Sequence, residues 1–173
     1  MGLRRLAAAG LAAGGALAVV APFLDWFRVT AAADGRSAVG SLAATAYGTT
    51  TTAFGVAAIV VAVVLIRGSS WGWWSVVGAA AMCFVLVTGL RGALDPIGTG
   101  KAALGEEAAL DLAGVRPGTV NDLGFRERLA AEFNAERLRA ESLSGGGAAA
   151  AGGALGLICS LPLVVRTARG RAA

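Results

Sequence analysis

Few side chains in this 173-residue sequence belong to the types that move protons, attack a substrate or hold a metal. The chain has no histidine, and its two cysteines, Cys83 and Cys159, lie in separate apolar segments rather than in a Cys-x-x-Cys pair. The adjacent carboxylates Glu106 and Glu107 would point about 100° apart on a helix, which suits a catalytic pair poorly. The sequence therefore predicts no catalytic residue, no metal site and no cofactor, and it favours a protein that is not an enzyme.

Hydrophobic residues make up 56% of the chain and charged residues only 15%, against about 25% charged in an ordinary soluble domain. The charges are also unevenly placed, with very few before residue 91 and a mixture of both signs in 91–141. Although the net charge is +4, the arginines form no basic patch interleaved with aromatic residues. We therefore expect no nucleic-acid partner.

Four apolar blocks each approach the roughly 20 residues that a helix needs to cross a bilayer. Because lipid offers no partner for backbone polar groups, these blocks should be helices rather than separate strands. The sequence thus predicts an all-α integral membrane protein, a single domain that forms a four-helix bundle in the cell (plasma) membrane. The predicted spans are residues 6–24, 42–66, 71–90 and 147–165.

Arginine placement predicts the orientation of these spans. Six arginines and no acidic residue flank one side, whereas the other side carries all the Asp and Glu. Both termini are therefore expected in the cytoplasm, and the 91–146 loop outside it. The first block could instead be a cleaved signal peptide, but its 19 residues exceed the usual apolar length of such signals and favour an uncleaved anchor.

The stretch Asp25-Trp26-Phe27-Arg28 marks the predicted exit of the first span from the bilayer. Trp26 and Phe27 are expected at the membrane interface, where aromatic rings are favoured. Asp25 and Arg28 would stay in water, either as simple flanking charges or as a contact for a partner.

The threonines Thr49, Thr50, Thr51 and Thr52 surround one turn of the second predicted span. They could line a small polar cavity, although such hydroxyls more often bond to a carbonyl of their own helix or to a neighbouring helix.

Two small-residue patterns, Gly10-x-x-x-Gly14 and Gly152-x-x-x-Gly156, would let helix backbones approach closely. They could pack the first and fourth spans together, which we favour, or dimerise the protein. Cys83 and Cys159 fall at depths about 8 Å apart along the helices, which exceeds the usual Cα spacing of a disulfide, so we expect two free, buried thiols.

The 91–146 loop is predicted to contain an amphipathic helix over about 122–143. Phe125, Leu129 and Phe133 are four residues apart and share one face, with Leu138 near its margin. This face could lie on the bundle or the membrane, or it could bind another protein.

The passage from "APFLDWFRVTAAADGRS" to "TTTTAFGVAAIVVAVVLIRG" resembles small actinobacterial four-span membrane proteins, over about residues 1–90. In those proteins the first span ends in a Trp-Phe or Trp-Tyr cluster and is followed by a short loop of small residues. The resemblance implies a four-span membrane fold. These families are mostly uncharacterised and usually have a shorter loop than 91–146, so no functional residue is carried over.

Together these features favour a non-catalytic accessory or scaffold subunit in contact with membrane lipid. Its partner, a protein or a second copy of the chain, would be recognised through the outer loop, with Phe125, Leu129, Phe133, Asp25 and Arg28 as candidate contacts. The first alternative is a small-molecule or lipid binding or transport protein whose cavity lies among the spans, near Thr49–Thr52. A membrane enzyme is the third.

Overall fold

The computed structural model describes residues 2–43, 45–68, 73–95 and 131–169. Four helices dominate it, and each is long and apolar enough to cross a membrane. This part of the sequence prediction is confirmed, with bounds that differ from the predicted ones by up to four residues. The helices are α1 (Leu3–Val20, continued by a 3-10 turn at Ala21–Phe23), α2 (Ala46–Ile66), α3 (Trp73–Leu94) and α4 (Ser144–Arg169).

The helices form a bundle in which each packs against its neighbours in chain order, and α4 also packs against α1. Glycine and alanine line these contacts, so the backbones approach closely. A methyl group added at Gly15 of α1 would lie 2.6 Å from the carbonyl oxygen of Gly55 on α2. Larger side chains at these positions would force the two helices apart.

Three short strands form an antiparallel sheet at one end of the bundle, so the all-α prediction is wrong in this respect. The sheet has the order β2-β1-β3. Its strands are β1 (Phe27–Ala31), β2 (Ser37–Gly40) and β3 (Leu138–Ser142).

The sheet forms because β1 alternates between apolar and polar residues. Phe27, Val29 and Ala31 are buried, whereas Arg28 is exposed and Thr30 is half-buried. This period of two places the apolar side chains on one face of the sheet, which packs into the same core as the helices.

The predicted helix over 122–143 is wrong for residues 135–143, and 122–130 lie outside the described residues. Residues 131–134 are helical, but a turn follows at 135–137 and the chain then enters β3. Glu136 has a φ of +56°, a left-handed conformation that an α-helix does not contain. Leu138 is buried on the inner face of the sheet rather than at the margin of a helix.

The bundle therefore has two unlike ends. The cap end carries the sheet, together with the end of α1, the start of α2, the end of α3 and the start of α4. The arginine end holds the start of α1, the end of α2, the start of α3 and the end of α4. Its described arginines are Arg4, Arg5, Arg67, Arg166 and Arg169.

Candidate functional site

The cap, which is the sheet together with the helix ends beside it, is organised around Trp26. This residue is fully buried between the end of α3 and the start of α4. A methyl group added at Gly92 would lie 2.7 Å from Cε3 of the indole, and one at Gly145 would lie 2.8 Å from Cγ. Trp26 Nε1 donates a hydrogen bond to the carbonyl oxygen of Ala21 at 2.7 Å, which satisfies the polar atom of the ring. Trp26 is thus a core residue, and the expectation of an interface ring is wrong.

Backbone hydrogen bonds join Asp25 and Trp26 to β2, to the residue that follows β3, and to α4. The N–H of Trp26 donates to Gly40 O at 2.9 Å, and its carbonyl accepts from Leu143 N–H at 2.8 Å. The carbonyl of Asp25 accepts from Gly145 N–H at 2.8 Å. The Asp25-Trp26 segment therefore joins the end of α1 to the sheet and to the start of α4.

Phe27 is also fully buried rather than at the interface. Its ring lies over Gly40, the residue that faces it on β2, and a methyl group there would lie 2.6 Å from ring atom Cε2. Asp25 and Arg28, the two charges beside the aromatic pair, are both exposed. The chain therefore passes from the end of α1 through Asp25 and Trp26 directly into β1, the central strand of the sheet.

The outward face of the sheet is polar and carries charges of both signs. Arg28 on β1 lies opposite Val39 on β2 and opposite Glu141 on β3. In the next row, Thr30 lies between Ser37 and Arg139. Of these six residues all but the half-buried Thr30 are exposed, so this outward face (Arg28, Thr30, Ser37, Val39, Arg139 and Glu141) is available to a partner.

The turn between β1 and β2 carries a charge pair of its own. Gly35 has a φ of +71°, a conformation that favours glycine. Asp34 accepts hydrogen bonds from the backbone N–H of Arg36, at 3.1 Å, and from its guanidinium Nε. These bonds lower the pKa of the Asp34 carboxyl below its ordinary value of 3.8.

The segment before β3 is held on the core by Phe133, which is only 8% exposed. Phe133 is therefore not available as an exposed contact for a partner. Next to it, Glu132 is almost buried and lies 3.4 Å from a guanidinium nitrogen of Arg137. Phe125 and Leu129, the other two residues of the predicted face, lie outside the described residues.

The threonine hydroxyls on α2 are used within their own helix. Thr49, Thr50 and Thr51 each donate to the carbonyl four residues earlier, at 3.0, 2.6 and 2.8 Å. Thr51 is fully buried, Thr49 is exposed, and Thr50 and Thr52 are half-buried. The hydroxyls of Thr49–Thr51 thus bond to carbonyls of their own helix, the alternative to lining a cavity.

The two glycine patterns meet between α1 and α4. A methyl group added at Gly152 would lie 2.8 Å from Gly14 O, and one at Gly10 would lie 2.6 Å from the sulfur of Cys159. Gly156 lies over this contact but faces Met82 of α3. The structure therefore places both glycine patterns at the contact between α1 and α4 of one chain, with Gly14 against Gly152 and Gly156.

Both cysteines are free thiols. Cys159 is half-buried, but Cys83 is exposed on the outer surface of α3, so the expectation that both are buried is wrong for Cys83. Within the described parts of the chain, no three His, Cys, Asp or Glu residues lie close enough together to hold a metal ion.

Three comparisons with known proteins returned nothing: no protein-family model, no curated protein and no solved structure matches this chain.

Proposed function

We propose that this chain is a multi-pass membrane protein without catalytic activity of its own, an accessory or scaffold subunit that binds a partner through its cap. The cap would lie outside the cytoplasm, and the arginine end would face the cytoplasm, in keeping with the positive-inside bias. The partner is a protein, or a second copy of the chain.

The surface of the helices supports a location in the membrane. Large apolar side chains are exposed on all four helices, far more than a soluble surface usually carries in one area. Examples at different depths are Leu17 on α1, Val60 on α2, Val87 on α3 and Ile158 on α4. Contact of these apolar side chains with lipid has no hydrophobic cost, whereas contact with water does.

The observation that carries the proposal is the outward face of the sheet. The sheet is tied to three helices through Trp26 and its backbone hydrogen bonds, so its outward residues are held in fixed positions. A rigid surface loses little conformational entropy on binding. Its mixed charges fit a polar protein surface that places an acidic group against Arg28.

The alternative, a cavity among the spans, receives less support from the described residues. The hydroxyls of Thr49, Thr50 and Thr51 are engaged by carbonyls of α2. Glycine contacts close the bundle between α1 and α4. We therefore place recognition by the cap ahead of transport.

The test is copurification of the tagged chain from its native membranes after chemical crosslinking, with the wild type beside Arg28→Glu. Reversal of a recognition charge typically weakens binding by tenfold or more, so we expect recovery of the partner to fall by about that factor. Arg67→Glu makes the same charge change at the arginine end and should leave recovery unchanged.

A double variant, Arg28→Glu with Glu141→Arg, separates recognition from a role inside the sheet. These two residues face each other across the strands, so the exchange preserves their attraction while it presents a different pattern to a partner. If the exchange restores recovery, Arg28 acts only within the sheet. Recovery of the chain alone, as a monomer, would contradict the proposal.

A further inference from the structure

The strand β2 lies at one edge of the sheet, and within the described residues its outer side pairs with no other strand. Such an edge presents backbone N–H and C=O groups that the sheet itself does not use. All four residues of β2 are exposed or half-buried. The outer side of β2 is therefore within reach of another polypeptide.

The register of β1 and β2 shows which backbone groups are free on this edge. Ala31 N–H donates to Arg36 O at 2.8 Å, and opposite residues of an antiparallel pair alternate between bonded and unbonded. Ala38, two residues further along, is therefore bonded to β1. The N–H and C=O groups of Ser37 and Val39 point the other way. They offer two donors and two acceptors at the outer edge, in the spacing that an extended chain matches.

The two edge strands differ in the residues that discourage pairing. Natural proteins protect exposed edges with charged side chains or prolines, among other devices. The other edge strand, β3, carries Arg139 and Glu141, whereas β2 contains no charged residue and no proline. Val39 is in addition 44% exposed. These features favour β2 over β3 as the edge that accepts a further strand.

Arg28 indicates the charge that such a strand should carry. It lies beside Val39 on the outward face, and two strand spacings of about 5 Å separate it from an added strand, a gap that an arginine and a glutamate side chain span together. Among the described residues Arg28 forms no ion pair, although it faces Glu141. The other arginines of the sheet and its turns each have a carboxylate partner. They are Arg36, Arg137 and Arg139.

We propose that an extended segment of the partner protein adds to β2 as a fourth strand, with its backbone bonded to Ser37 and Val39 and an acidic side chain next to Arg28. In this mode of recognition the backbone hydrogen bonds provide affinity, and the alternating side chains provide specificity. The inference rests on the proposed function, because it specifies how the cap recognises its partner.

A synthetic peptide tests the proposal on the detergent-purified full chain. The probe is Thr-Val-Glu-Val-Thr with both ends blocked, so the central glutamate carries its only charge. Amide NMR measures its dissociation constant and the hydrogen exchange of single residues. We expect the peptide to slow exchange at Ser37 and Val39 and to leave Ala38, which is bonded to β1 already, unchanged. A peptide that binds without slowing exchange at Ser37 and Val39, or that does not bind, would overturn the proposal.

Val39→Pro removes one of the outer N–H groups without touching the bonds to β1. An edge strand tolerates proline where the N–H faces outward, so this variant should fold normally. We expect it to weaken the peptide about tenfold, because an acceptor of the bound peptide loses its donor. Val39→Thr is the matched control. It keeps the N–H and the branched side chain, so it should bind within about twofold of the wild type. Equal affinities of the two variants would contradict the backbone pairing.

The peptide Thr-Val-Lys-Val-Thr tests the charge of the added strand. It should bind the wild type about tenfold more weakly than the glutamate peptide. Arg28→Gln should bind the two peptides with similar affinity. Equal affinities of the wild type for both peptides would show that Arg28 does not select an acidic strand and would overturn that part of the proposal.

Copurification from native membranes separates this inference from the proposed function. If Val39→Pro recovers as much partner as the wild type, the cap binds its partner without this edge, and only the strand addition fails. If the wild type is recovered alone, as a monomer, the proposed function fails and the strand addition fails with it. If the wild type forms a dimer in detergent that Val39→Pro abolishes, the occupant is a second copy of the chain and the assignment to a partner protein is wrong.

Discussion

At the cap end, a buried tryptophan, three strands and a set of backbone hydrogen bonds tie the helices to one another. At the arginine end, an open groove lies between the start of α1 and the end of α4, and the described charged side chains are all arginines. The first arrangement holds surface residues in fixed positions, which suits recognition of a protein. The second leaves the described arginine side chains exposed at the end of the bundle.

Replacement of a tryptophan at each end is expected to give the largest contrast. Trp26→Ala should lower the free energy of unfolding by about 3–5 kcal/mol, because it leaves a cavity between α3 and α4. Trp73→Ala, in a half-exposed ring that stacks on Trp74 at 4.7 Å, should cost about 1 kcal/mol. Denaturant unfolding in detergent measures both values, and equal losses would contradict the assignment of Trp26 as the anchor of the cap.

A glycine replacement tests the packing of α1 against α4, in the part of the bundle that lies between the two ends. Gly14→Leu places a side chain against the backbone of Gly152 and Gly156 and should cost about 1–3 kcal/mol through overpacking. Gly147→Leu, also in a helix but with no atom within 4 Å of the added carbon, should change stability by less than about 0.5 kcal/mol. Thermal unfolding compares the pair. A Gly14→Leu variant as stable as Gly147→Leu would show that α1 and α4 do not pack in this way.

Two threonine variants compare a side chain that caps the start of α2 with one that bonds back into α2. Thr45 caps α2 by accepting from Gly48 N–H at 3.1 Å, so Thr45→Ala should cost about 1 kcal/mol. Thr49, which is exposed and bonds back to its own helix, should tolerate alanine within about 0.5 kcal/mol. If neither variant changes the free energy of unfolding in denaturant, the Thr45 side chain does not stabilise the start of α2.

The smallest expected effect concerns the β1–β2 turn. Hydrogen bonds from Arg36 lower the pKa of Asp34, so the carboxylate favours the folded state above its unfolded pKa, and that contribution is lost as the pH falls through the lowered value. Carboxyl NMR titration should place the Asp34 pKa below 3.8, and Arg36→Gln should raise it. An unchanged pKa in the variant would contradict the pairing.

The sequence predicts the helices well because each apolar block is long enough to leave one structural solution in lipid. Its errors at the helix ends run in both directions: α2 begins at Ala46, four residues inside the predicted span, where Thr45 caps it. Elsewhere a helix continues past the apolar run until its backbone finds other partners. Thus α3 extends to Leu94 and α4 begins at Ser144, both beyond the predicted spans.

The cap was missed for a different reason. Phe27, Val29 and Ala31 alternate with polar residues, a signal for a strand that was present in the sequence. However, β1 pairs with β3, more than 100 residues away, and no local pattern reports such a partner. The burial of Trp26 depends likewise on Gly92 and Gly145, which are distant in sequence.

The central claim, a membrane bundle with its two ends on opposite sides, is tested most directly by cysteine labelling in intact cells. A Cys83→Ala, Cys159→Ala background would carry either Arg28→Cys at the cap end or Arg67→Cys at the arginine end. A maleimide that cannot cross membranes should label the first variant in intact cells and the second only after permeabilisation. Labelling of both variants in intact cells, or of both only after permeabilisation, would contradict this topology.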